Sequence, residues 1–394
     1  MSAFIADWLN LLFRWAHLIV GIGWIGTSFY FIALDLSLRK RAEMKPGVYG
    51  TAWEVHGGGF YHVEKYLVAP PQLPEDLIWY KWEAYLTWVT GFALLVVQYY
   101  WNARSFLIDP SVMPMRPSEA VVISVTLLIG GWLIYDRLLC RSWIGRNTPL
   151  LAAFVFALVV GASYLFSQVF SGRGALIHAG AFIGTIMAFN VFGVIIPNQK
   201  KIAAALMAGQ APDPALGAMG KQRSVHNNYL TLPVLVMMVS NHYPMLTGHP
   251  HNWLLVALII VTGAMVRHFL NRHDAGDPLA KIAWTLPVAA VALGCLIVLT
   301  APRPVAVDPR LMMTDAEAVT LAAQRCAVCH AARPKHESFS EAPKGIMLET
   351  ADELRQHKDQ VLTQAVFSRT MPLGNETGMT DEERKKLGAW LQSQ

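Results

Sequence analysis

Eight stretches of roughly twenty mostly apolar residues run along this chain: 8–34, 80–102, 119–137, 149–168, 175–197, 229–247, 252–270 and 281–300. About 20 such residues carry a helix across the hydrocarbon core of a bilayer, where a helix alone satisfies its own backbone polar groups. The pattern predicts an all-α protein built on a polytopic membrane bundle of about eight transmembrane helices. Composition agrees: charged residues make up only 15% of the 394, against about 25% in a soluble globular chain. Pro110, Pro114, Pro117, Pro149, Pro197 and Pro278 punctuate the connections, and Pro233, inside an apolar run, predicts a kinked helix. The first apolar run is too long for a cleavable signal peptide and lacks a small-residue cleavage site. The net charge of +5 comes from basic residues in short runs between apolar stretches. That distribution argues for membrane lipid as the surroundings and against nucleic acid as a partner.

Those basic residues also predict an orientation, because cytoplasmic loops are rich in Lys and Arg. The first loop carries Arg39, Lys40, Arg41, Lys45 and Lys65; the third Arg137, Arg141 and Arg146; the fifth Lys200, Lys201, Lys221 and Arg223; the seventh Arg272 and Lys281. The even loops hold Arg104, Arg116 and Arg173. Odd loops are therefore expected in the cytoplasm. With eight crossings, both termini fall outside it. This predicts a plasma (inner) membrane protein whose C-terminal part is periplasmic or otherwise extracytoplasmic.

The sequence divides into a membrane part over 1–300, a proline-rich linker over 301–313 and a C-terminal domain over 314–394. Thr314 and Glu317 form a capping-box pattern that opens a helix leading into Cys326-Ala327-Val328-Cys329-His330. C-x-x-C-H is the attachment motif of a c-type haem: two thiols form thioethers and the adjacent imidazole binds iron. A structural zinc site needs a second ligand pair, and none follows. The sixth ligand is expected downstream, from Met347, Met371, Met379, His336 or His357. Met371, in the rigid Arg369-Thr370-Met371-Pro372 segment before a last capped helix (Thr380, Glu383), fits the order of a small class I cytochrome c. Cys140 and Cys295 read as buried, inert thiols.

Ionisable groups in spanning helices default to functional candidates. His17, Gly21, Trp24 and Ser28 share a face of the first helix, and a glycine one turn from a histidine leaves room for a flat ring. His17 is thus a candidate ligand for a haem b, with His178 or His242 as its partner. Two clusters mark the cytoplasmic side. In Trp53–Lys65, three glycines flanked by His56, His62 and Glu64 suggest close backbone approach to a ligand with acid and base groups beside it. In His226-Asn227-Asn228-Tyr229, paired amides suit a heterocycle with adjacent amide edges.

The segments WAHLIVGIGWIGTSFYF, WEVHGGGFYHVEKY and HNNYLTLPVLVMMVSNHYP resemble the membrane-bound, cytochrome c-linked urate oxidases (PuuD type), and CAVCH with RTMPLGN resembles the cytochrome domain fused to them. The resemblance covers essentially the whole chain. It implies oxidation of urate to 5-hydroxyisourate in purine catabolism, with electrons passing to the protein's own haem c and then to a soluble cytochrome c or a terminal oxidase. The first-helix pattern is also similar to that of HemJ-type membrane proteins, which implies a haem b at His17. Urate would then bind between the His56–Glu64 loop and His226–Asn228, with Lys65 or a protonated histidine balancing its charge. The competing reading is an electron-transfer subunit without a substrate site, wiring a partner dehydrogenase to haem c; a transporter is weaker, since no internal repeat is visible.

Overall fold

The computed structural model describes residues 3–66, 70, 73–302 and 309–394, so residues 303–308 of the expected linker lie outside the described residues. A helical bundle is formed by α1 (Ala3–Ser37), α2 (Trp82–Leu95), α3 (Pro117–Leu133), α4 (Thr148–Val169), α5 (Gly172–Asn190), α6 (Pro214–Val239), α7 (Asn252–Asp274) and α8 (Thr285–Thr300). Helix α5 is the hub, packed against α2, α3, α4 and α6. Its small residues explain why. A Cβ on Gly180 would come within 2.9 Å of Met237 Cβ, and one on Gly131 of α3 within 1.8 Å of the Phe182 ring. Small residues at such crossings let helix backbones approach closely.

Among the described residues, six helices are long and apolar enough to cross a membrane, those of α1, α3, α4, α5, α7 and α8. Their outer surface is apolar, with Phe4, Trp8, Leu11, Trp15 and Ile22 exposed on α1 and Val291, Ile297 and Val298 on α8. This is consistent with a multi-pass membrane protein. The other two expected spans are helices of the bundle but fall short in apolarity. Helix α2 carries Glu83, and its π-helical continuation Val96–Tyr100 carries Gln98. Helix α6 spends its first half on Lys221, Gln222, Arg223, His226, Asn227 and Asn228. The 229–247 span is also corrected at its end: α6 stops at Val239, and His242 lies in a separate turn before Pro244. Pro233 stays inside α6, fitted against Gly263 of α7, where a Cβ would stand 2.8 Å from the proline ring. Cys140 is buried, whereas Cys295 is exposed on α8.

The fold is not all-α. Residues 48–66 form an antiparallel hairpin of β1 (Val48–His56) and β2 (Gly59–Tyr66), with His56 paired to Gly59. Gly57 and Gly58 make the two-residue turn at φ +58° and +81°, the backbone that a tight hairpin turn demands and glycine supplies. The glycine run thus turns a hairpin. Ion pairing and hydrogen bonding tie the hairpin to α1: Lys65 meets Asp35 at 2.5 Å, and Tyr30 donates to Glu54 at 2.5 Å.

The C-terminal unit has its own core, formed by Ala318, Leu321, Leu348, Leu354, Leu362, Met379, Leu387, Trp390 and Leu391. Its first helix, α9 (Asp315–Arg325), and its last, α11 (Asp381–Gln392), both begin with the expected capping boxes, and the short α10 (Ala351–Gln356) lies between them. The unit is seated on one end of the bundle. Gly374, at φ +56°, sits so close to the bundle that a Cβ would stand 2.6 to 3.0 Å from the carbonyl oxygens of Arg104, Ile108 and Ser105. Ser105 donates to Glu376 at 2.5 Å, and the Arg369 N–H to the Gly248 carbonyl at 3.3 Å. The connections after α2, α4 and α6 meet at this end, where Ser171 bonds the carbonyls of Phe106 and Leu107 at 2.8 Å. The connections after α1, α3, α5 and α7 gather at the other, where Gln222 donates to the Gly145 carbonyl at 2.8 Å.

Candidate functional site

A cavity of about 1020 Å³ runs from the middle of the bundle into the C-terminal unit, at the top of the size range of cofactor pockets. His17, Gly21 and Trp24 of α1, Trp88 and Gly91 of α2, and Thr185 and Met187 of α5 line its bundle side. His17 Nδ1 is held by the Thr87 carbonyl at 2.9 Å and the Thr90 hydroxyl at 3.1 Å. This leaves Nε2 for the cavity, the usual way a ligating histidine is oriented. Gly91 makes the room, since a Cβ there would lie 2.8 Å from His17 Cε1. Next to Gly21 an added Cβ would meet only Thr87, at 4.0 Å. His242 and Asn241 also line the cavity, and Asn241 donates to Tyr99 Oη.

From the other side come Cys326, Cys329, His330 and Met371. His330 Nδ1 is bonded to the Ile346 carbonyl at 2.9 Å, again leaving Nε2. Burial pushes the Cys326 thiol up to about 11, so it is a protonated thiol at neutral pH. Among the candidate sixth ligands, Met379 is packed in the C-terminal core, Met347 is partly exposed and off the cavity, and His357 is off the cavity too. His336 lines it but is bonded to Glu376 at 2.8 Å. Arg14, Arg173, Arg325 and Lys344 line the cavity against the single acid Glu376, and Arg173 Nε has no hydrogen-bond partner.

A second feature lies at the opposite end of the bundle. Asp136, fully buried, pairs with Arg223 at 2.8 Å, Arg141 at 2.9 Å and Arg137 at 3.3 Å. Tyr135 Oη bonds His226 Nδ1 at 2.6 Å and accepts from Asn190 Nδ2 at 3.0 Å. Asn190 also donates to Asn227 at 2.9 Å, and Asn227 donates to the carbonyl of Met187, a cavity-lining residue, at 2.9 Å. Asn228 faces α7 and accepts from Asn271 at 2.7 Å.

The predicted site residues therefore separate. His17, His242, Cys326, Cys329, His330 and Met371 meet around one cavity. His226 and Asn227 belong to the polar network, with Asn228 beside it. His178 joins neither: fully buried among Phe166, Phe170 and Tyr99, it has both ring nitrogens bonded, to Ser124 at 2.7 Å and to the Gly174 carbonyl at 2.7 Å. His56 is exposed at the hairpin tip, His62 lies against Trp53 with ring centroids 4.5 Å apart, and Glu64 is bonded to Lys45 at 3.0 Å, which holds its carboxyl below the usual range. The partners of His226, Asn227 and Asn228 all come from other helices, not from the hairpin. Asp136, Tyr135, Asn190 and Arg223 escaped the sequence reading. Arg223 had counted as a loop charge, and its distance of 87 residues from Asp136 gives no local signal.

A helical bundle with six helices apolar enough to cross a membrane among the described residues, an apolar cavity towards one end and a buried polar network at the other is the class that this geometry defines. Its family follows from comparison: the chain belongs to the urate oxidase family, whose N-terminal-region model matches residues 3–301. No curated protein and no solved structure matches it.

Proposed function

We propose that this chain is a membrane urate oxidase that converts urate to 5-hydroxyisourate and delivers the electrons to its own C-terminal cytochrome c. The observation that carries this reading is the shared cavity, where a motif for covalent haem attachment and an oriented intramembrane histidine meet in a chain of the urate oxidase family. The donor set suits a haem c on Cys326, Cys329 and His330, with Met371 as sixth ligand, because Met371 is the methionine on the cavity among those weighed. It suits a haem b on His17, with His242 available on the same cavity. The open Nε of Arg173 and the neighbouring Arg14 and Lys344 suit the carboxylates that such rings carry. Bound there, these groups supply one-electron redox chemistry, and a soluble cytochrome c or a terminal oxidase is the expected final acceptor.

The half-reaction is urate + H2O → 5-hydroxyisourate + 2H⁺ + 2e⁻, so oxygen comes from water and two protons are released, which a base has to accept. His226, with Nδ1 committed to Tyr135, keeps Nε2 for that work. The contacts of His62 with Trp53 and of Glu64 with Lys45 and Tyr66 lie within the first connection and do not join the cavity or the polar network. The Lys and Arg bias puts the network end in the cytoplasm and the C-terminal unit in the periplasm.

Anaerobic addition of urate to the oxidised, detergent-purified protein tests this. Growth of the reduced c-type band is expected. A haem reduced by dithionite but not by urate overturns the proposal in favour of an electron conduit for a partner enzyme.

A further inference from the structure

We infer that Arg223, Asn190 and His226, gathered around Tyr135, form the recognition site for the edge of an anionic oxopurine. This deepens the urate oxidase reading and rests on it. The argument begins with unused bonding capacity. Arg223 is 2% exposed, yet Nε and Nη1 have no hydrogen-bond partner; its Nη2 alone is taken, by Asp136. Asn190 is fully buried and its Oδ1 accepts nothing, although its Nδ2 donates twice. Buried polar groups are nearly always paired, and those left open point to a missing partner.

The open groups specify that partner. Arg223 lies over the Tyr135 ring at 5.0 Å, and Tyr135 bonds both Asn190 and His226, so all four side chains are contiguous. The site offers N–H donors from a guanidinium and one carbonyl acceptor from an amide. It therefore wants an oxygen acceptor, preferably anionic, beside an N–H donor. A ring that alternates carbonyl and N–H along one edge carries that pattern. Charge agrees: Asp136 faces three guanidinium groups, those of Arg137, Arg141 and Arg223, and leaves a local surplus of two positive charges. Of the four side chains only that of His226 is partly exposed, so a ligand would have to enter from its side.

The test is steady-state urate oxidation and anaerobic haem reduction by full-length protein carrying Arg223→Lys, Asn190→Leu or Asn190→Asp. Each variant is checked for a wild-type dithionite-reduced spectrum. Asn190→Leu should raise the KM for urate roughly ten-fold or more, the usual cost of an unmatched hydrogen bond. Asn190→Asp should raise it further by charge repulsion, and Arg223→Lys should weaken urate more than Asn190→Leu does. A wild-type KM in both Asn190 variants, with urate still reducing the haem of the parent protein, overturns the inference and leaves the proposed function standing. Failure of the parent protein to be reduced by urate removes the function itself. Should Arg223→Lys not fold, the Asn190 pair decides.

Discussion

Replacing Gly91 by alanine tests the bundle side of the cavity at one atom. The new Cβ would lie 2.8 Å from His17 Cε1 and 3.2 Å from Nδ1, both closer than ordinary contact, and 3.6 Å from Nε2. If the ring holds its place, overpacking costs about 1–3 kcal/mol. If it swings away, it gives up the Nδ1 hydrogen bond shared between Thr87 and Thr90, about 1–2 kcal/mol for a buried group left unpaired. Either route comes to about 2 kcal/mol, or roughly thirty-fold in occupancy of the oriented imidazole. The assay is the reduced-minus-oxidised visible spectrum, with the b-type band normalised to the c-type band, followed by the rate of urate-driven reduction. The ratio should fall and the rate should fall with it, while the c-type band stays at its wild-type height. Gly26→Ala is the control, since nothing lies within 4 Å of a Cβ there. An unchanged ratio together with an unchanged rate in Gly91→Ala would refute the assignment of His17.

Two further outcomes concern the C-terminal unit. Met371→Leu should alter the oxidised spectrum and lower the haem c potential, whereas Met379→Leu, a volume-conserving change in the core, should leave the spectrum alone and cost under about 1.5 kcal/mol of stability; redox titration of both variants separates them. Asp315 accepts from Arg355 at 2.5 Å and from the Trp390 indole at 3.2 Å, and the Arg355 bond holds its carboxyl below the ordinary value. A depressed carboxylate stabilises the fold above its unfolded pKa of about 3.9 and loses that contribution as pH falls through the folded value. The Tm difference between wild type and Asp315→Asn should therefore be present at pH 6 and shrink as the pH drops below about 4, which thermal melts across that range will show.

What the sequence disclosed and what it hid divide along a physical line. Signals confined to a few consecutive residues were legible: the capping boxes at Thr314 and Thr380 and the apolar runs behind the six long helices. The Gly57-Gly58 turn was just as local, but a glycine pair between His56 and Gly59 reads equally as a ligand loop until the alternation on either side is weighed. The polar network was hidden because its partners are 55 and 87 residues apart. Arg223 and Asp136 are each, taken singly, a charge near the end of an apolar run. Only tertiary pairing shows that they are buried together. His178 makes the converse point: a histidine in a spanning helix looked like a ligand, and two hydrogen bonds satisfy it as a core residue.

The seat of the C-terminal unit has a kinetic consequence. With Gly374 pressed against three carbonyl oxygens of the bundle and Glu376 bonded to Ser105, the C-terminal unit is held on the bundle by direct contacts of its own. Under the proposed function, electrons would pass within the molecule without a diffusive step, so the rate of that step should be indifferent to solvent viscosity and to the length of the connecting segment. On the same proposal, ionic strength should matter only at the last stage, where a mobile acceptor would meet the C-terminal unit.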